Sequence, residues 1–102
     1  MSKYSPHDCF QVQSDVRPRP VPEWGCMLVY TPSRPGVHYL DPRSWLMYEL
    51  CDGRTYQEIA AEFSEAVPEG TPVEKVHELV DTGLDALLLK GIIEKSPALD
   101  RV

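Results

Sequence analysis

The apolar positions change period near residue 41: short extended clusters come before it, and recurrences every three to four residues come after it. Val16–Val21 (VRPRPV) alternates apolar or ring residues with arginine, and its prolines restrict it to an edge strand or an extended lead-in. Cys26–Thr31 (CMLVYT) is the clearest strand, rich in β-branched and aromatic residues and closed by Pro32. Glu23-Trp24-Gly25 has turn character. So does Ser33–Gly36, after which Val37–Leu40 (VHYL) returns as the second arm of an antiparallel hairpin. The three extended segments predict a small meander.

Asp41-Pro42 then opens a helix, with aspartate as N-cap and proline at the first helical position. Its apolar stripe is expected on Trp45, Leu46, Tyr48 and Leu50, with Gly53 ending it in the C′ position. Thr55 and Glu58 form a capping box for a second helix running to Ala66, with Ile59, Ala60 and Phe63 facing inward. Thr71-Pro72 repeats the cap-and-proline start for a third helix to Lys90, which Gly91 terminates, and Ile92-Ile93 follows as a short extended coda. The predicted class is α+β and winged-helix-like: a three-stranded antiparallel sheet followed by three helices, βββααα. Residues 16–95 would form the domain, with a flexible N-terminal tail at 1–15 and a C-terminal tail at 96–102.

The third helix is apolar over more than one face. Val73, Val76, Val80, Leu84 and Leu87 make the core stripe, Leu79, Gly83 and Ala86 flank one edge, and Leu88 and Leu89 widen it further. Glu74, Glu78, Asp81 and Asp85 are expected on the solvated side. A helix this wide needs a second thing to pack on, either another helix of the domain or a bound apolar peptide. Gly83 costs roughly 1 kcal/mol relative to alanine in mid-helix, so it points to close approach of another backbone or, equally, to tight packing against the sheet.

Composition narrows the function classes. At 102 residues the chain is one domain, and 42% apolar with 25% charged residues is ordinary for a folded one. Ten prolines are unusual, and six of them fall in the first 35 residues, where the chain is read as extended. The net charge of −6 argues against nucleic acid, which is bound through Lys and Arg on phosphates. A winged-helix DNA-binding regulator remains the alternative of shared topology, disfavoured because the third helix presents carboxylates where base-reading Arg, Lys, Asn or Gln belong. No apolar run reaches the roughly 18 residues of a membrane span, and MSKYSPHDC lacks the apolar core of a signal peptide, which together predict a cytoplasmic protein. Cys9, Cys26 and Cys51 are widely spaced and odd in number, so free thiols are expected and no metal is; His7, His38 and His77 fall into no catalytic spacing, so neither catalysis nor a cofactor is expected.

The run HYLDPRSWLMYELCDGRTYQEIAAEF, with Leu87, Gly91, Ile92 and Ile93 beyond it, resembles the PqqD-like family of RiPP recognition elements. The matched places are Leu40, Asp41, Leu50, Asp52, Gly53, Ile59 and Ala60, within about residues 26–94, and Thr55 stands one place earlier than the pattern puts it. The resemblance implies a domain that binds the leader of a ribosomally made precursor peptide and presents it to a separate maturase such as a radical SAM enzyme. It implies a leader strand added beside Val37, His38, Tyr39 and Leu40, with side chains meeting Val76, Val80 and Leu87 and the rim residues Leu79 and Gly83 of the third helix. A monomer or weak dimer is expected, with no nucleic acid or membrane partner.

Overall fold

A computed structural model describes residues 4–96. The C-terminal tail expected beyond Ser96, and residues 1–3 of the N-terminal one, lie outside the described residues. The chain runs β1 (Cys9–Val12), β2 (Arg17–Val21), a 3-10 turn (Pro22–Trp24), β3 (Cys26–Tyr30), β4 (Val37–Leu40), α1 (Pro42–Leu50), β5 (Asp52–Thr55), α2 (Tyr56–Ser64), α3 (Val73–Leu89) and β6 (Ile93–Ser96). The mixed α+β class and the β2–β3–β4 meander match the expectation, but the order is not a single sheet followed by three helices. A second antiparallel sheet, β5–β1–β6, is woven from the chain's two ends and the joint between α1 and α2.

That second sheet corrects the reading of residues 9–12 as part of a loose tail. Phe10 is fully buried, and β1 pairs with β6 from Cys9↔Ser96 to Val12↔Ile93. On its other side β1 meets β5 irregularly, through Cys9↔Thr55 and Gln11↔Asp52. The preceding segment also caps α2: the N–H groups of Tyr56 and Gln57 donate to the carbonyls of Asp8 and Pro6 at 2.7 and 3.0 Å. These are first-turn donors that a helix cannot satisfy itself.

The caps of α1 and α2 follow from local sequence. Asp41 accepts from the Ser44 N–H at 2.8 Å, and the Thr55–Glu58 box closes reciprocally. Two other local expectations fail. Gly53 has φ +99°, yet it sits within β5 and not at a helix end; α1 stops at Leu50, with Cys51 as its C-cap. Thr71 does not cap α3, because its hydroxyl donates to the Pro68 carbonyl and Pro72 takes the N-cap position. At the far end of α3, the Gly91 N–H returns to Leu88 and the Ile92 N–H to Leu87, the paired 5→2 and 6→1 bonds of a Schellman ending.

One core joins the layers. Met27, Val29 and Leu40 from the meander, Met47 and Leu50 from α1, Tyr56, Ile59 and Phe63 from α2, and Val80, Leu84 and Leu87 from α3 close over Phe10, Ile92 and Ile93. On α1 the deepest residue is Met47, while Trp45, Leu46 and Tyr48 are half-buried around it. Val73 leaves the expected core stripe and is 70% exposed. Among the described residues, no helix is long and apolar enough to cross a membrane.

Candidate functional site

The β3–β4 hairpin is held at its turn by Thr31, whose N–H donates to the Gly36 carbonyl at 3.0 Å and whose hydroxyl donates to the Arg34 carbonyl at 2.8 Å. Arg34 reaches back to the Leu89 carbonyl, and its guanidinium lies beside Gly91, where a Cβ would stand 3.5 Å from it. The turn is thereby tied to the end of α3.

The register determines which backbone groups face outward. β3 and β4 pair as Met27↔Leu40, Leu28↔Tyr39, Val29↔His38 and Tyr30↔Val37. Since Thr31 bonds Gly36, the alternation of an antiparallel ladder makes Val29↔His38 and Met27↔Leu40 the bonded pairs. The N–H and C=O groups of Val37 and Tyr39 therefore point away from β3, toward a side on which no described strand lies. Their side chains are 66% and 60% exposed.

The opposite edge of the same sheet is different. In β2, Pro18 and Pro20 stand opposite Val29 and Met27, the positions whose β3 backbone turns toward β4. A proline fits a paired strand where its missing N–H would face away from the partner. The outer rim of β2 consequently offers no N–H at residues 18 and 20.

The helix residues named from the sequence divide. Val76, Val80 and Leu87 are buried, as is Leu40 on β4, because each points into the core. Leu79 is half-buried and Gly83 faces α1: a Cβ on Gly83 would come within 3.2 Å of the Met47 side chain. The neighbour is thus a side chain of α1, and not the approaching backbone or the sheet expected from the sequence. Leu79 and Gly83 line a groove of about 180 Å³ between α1 and α3, which also takes in Asp41, the residue after Leu40. No described cavity is lined by both β4 and α3. The Asp41 carboxyl is held below its ordinary pKa, chiefly by the Ser44 N–H it accepts, with Arg43 and Lys90 adding in the same direction.

A second constellation escaped the sequence reading. A cavity of about 650 Å³ lies between α2, the turn after it and the start of α3, with Tyr4 and Pro6 on one wall. Tyr56 Oη lies 2.9 Å from His77 Nδ1 and 2.7 Å from Asp81 Oδ1, and its ring stacks on the imidazole. Tyr4 Oη donates to Asp85, and burial together with this carboxylate pushes its phenol pKa upward. Asp81 and Asp85 thus belong to buried-side bonds and not simply to a solvated face. The i, i+4 spacing of His77 and Asp81 was the available signal; that Tyr56 would meet them was not.

His38 and His77 have separate surroundings. His38 Nε2 lies 3.4 Å from the Thr31 hydroxyl, and His77 belongs to the Tyr56 cluster. Cys26 and Cys51 are buried free thiols and Cys9 is half-buried. No cluster of three or more metal-ligating side chains occurs among the described residues. No protein-family model, curated protein or solved structure matches the chain.

Proposed function

We propose that this chain is a PqqD-like recognition domain that binds the leader region of a ribosomally made precursor peptide as an added strand on β4 and presents it, in the cytoplasm, to a separate modifying enzyme such as a radical SAM maturase. The observation that carries the reading is the asymmetry of the meander: an open β4 rim with outward backbone at Val37 and Tyr39, opposite a rim closed by Pro18 and Pro20. Strand addition uses such an edge for main-chain bonds and alternate side-chain sites for register.

Backbone bonds alone supply little. Each contributes about 0.5–1.5 kcal/mol net, while ordering a free peptide costs about 2–5 kcal/mol. Apolar anchors have to supply the rest. Val37 and Tyr39 offer exposed apolar surface beside the edge, and the α1–α3 groove with Leu79 opens at Asp41, where β4 ends.

The direct test is Tyr39→Pro. It removes an N–H that faces away from β3, so the hairpin is expected to stay folded, while an incoming strand loses a donor and meets the proline ring. The probe is a synthetic peptide with the sequence of a candidate precursor's leader, followed by fluorescence anisotropy. At least tenfold weaker binding with an unchanged circular dichroism spectrum is expected, a loss of about 1.4 kcal/mol. Leu79→Asp is expected to weaken the same complex at least tenfold if the groove holds a leader side chain. Unchanged affinity in Tyr39→Pro, or no binding by the wild type, would overturn strand addition at β4.

A further inference from the structure

The register of the meander puts two rows of side chains on the face turned away from the core. Met27 and Val29 of β3 are buried, so the residues alternating with them, Leu28 and Tyr30, point the other way. Residues directly opposite in a ladder share a face. One row therefore runs Arg19–Leu28–Tyr39 and the other Arg17–Tyr30–Val37, each crossing β2, β3 and β4. Both arginines, Tyr30, Val37 and Tyr39 are exposed, and Leu28 is half-buried among them.

Charge on this face runs against the trend of the chain. The net charge is −6, yet neither row holds a carboxylate. The side chains of Arg17 and Arg19 have no hydrogen-bond or ion-pair partner among the described residues. They form a column on β2, and Val37 and Tyr39 form the matching apolar column on β4. A guanidinium is planar and weakly hydrated, and it stacks on the face of an aromatic ring within about 6 Å of its centre. One edge of the face thus carries what the other edge can receive.

We infer that this face pairs with the same face of a second copy of the chain, as a two-fold dimer. An axis parallel to the strands and above β3 lays β2 of each copy over β4 of the other. Arg19 then stacks on Tyr39 and Arg17 on Val37, twice over, while Leu28 and Tyr30 meet their own counterparts at the centre. An axis across the strands would lay the arginine column on itself, where like charges repel. The chosen contact is self-complementary and closes at two copies. Two rows of three residues fall well short of the roughly 20–30 a side in a standard interface, so the expected dissociation constant is on the order of 100 μM. The free backbone groups of β4 lie in the plane of the sheet, so its rim stays open in the pair.

The test is sedimentation equilibrium of the full chain from micromolar to millimolar concentration, with NMR spectra along the same dilution series. A reversible monomer–dimer equilibrium is expected, with shifts on dilution confined to the two rows. It is expected to be tighter at high salt, which screens the repulsion between two copies of like net charge. Arg19→Glu and Tyr39→Ala are each expected to weaken it about tenfold or more. Lys75→Glu makes the same charge change on the exposed side of α3 and is expected to leave it within about twofold. A monomer throughout, equal losses in Arg19→Glu and Lys75→Glu, or dilution shifts on another surface would each overturn the inference. Dissociation by salt would do so as well, since it marks a carboxylate surface and not the β4 column as what the arginines meet. None of these results depends on whether the β4 rim takes a peptide.

Discussion

The β2–β3–β4 sheet is drawn from a single stretch between Arg17 and Leu40, whereas β5–β1–β6 gathers strands beginning at Cys9, Asp52 and Ile93. The first is a local meander whose connections are short turns. The second closes long loops, whose entropic cost has to be recovered from burial. Phe10, Ile92 and Ile93 provide that burial, each almost fully removed from solvent. By contrast, the outward face of the meander leaves Tyr30, Val37 and Tyr39 exposed, with Arg17 and Arg19 beside them in register. One sheet ties the chain together and the other has surface and backbone to spare. The proposed strand addition uses the sheet whose exposed residues the core does not need.

The largest expected effect sits in the woven sheet. Phe10→Ala is expected to destabilise the domain by about 3–5 kcal/mol, read as a lowered midpoint in urea unfolding. Tyr39→Ala on the meander is expected to stay within about 0.5 kcal/mol of wild type. Similar losses in the two variants would break the contrast.

Alkaline pH probes the same joint. Cys51 sits where α1 passes into β5, and its carbonyl accepts the Val12 N–H at 3.1 Å. Burial, with Asp52 adding to it, pushes the thiol from 9.0 up to about 12. A raised acid is harder to ionise in the folded state. Its contribution to stability is therefore whole below pH 9 and is lost as pH rises toward 12. Tyr4 and Tyr48 are raised as well and act in the same direction. The melting temperature is expected to fall as pH climbs through this window, and Cys51→Val is expected to flatten part of that fall. An identical alkaline profile in the variant would show that the thiol plays no part.

A smaller effect on stability than that of Phe10→Ala, and the most pointed on behaviour, concerns the closed rim. Pro18→Val with Pro20→Val restores two outward N–H groups on β2. Each change is expected to cost about 0.4–1 kcal/mol through a less restricted unfolded chain. The double variant is expected to self-associate with concentration in sedimentation velocity, as an unprotected edge does. Sedimentation identical to wild type would show that the prolines are not what closes that rim.

What the sequence determined by itself is everything decided within a few residues. The Asp41 cap, the Thr55–Glu58 box, the ending at Gly91, the β3–β4 hairpin and the edge character of the VRPRPV segment all follow from short-range hydrogen bonding and fixed backbone angles. Of the candidate site, the strand Val37–Leu40 was legible at its observed bounds, because a proline-rich turn and alternating side chains define it locally. Tertiary structure decided the rest. Residues 9–12 carry too little local signal to be told from a tail, since the partners that make them a strand lie more than forty and eighty positions away. Asp52-Gly53 looks like a helix stop until β1 arrives beside it. Likewise, which side chain Gly83 makes room for, and that Tyr56 would meet His77 between α2 and α3, depend on distances between elements that no short-range rule encodes.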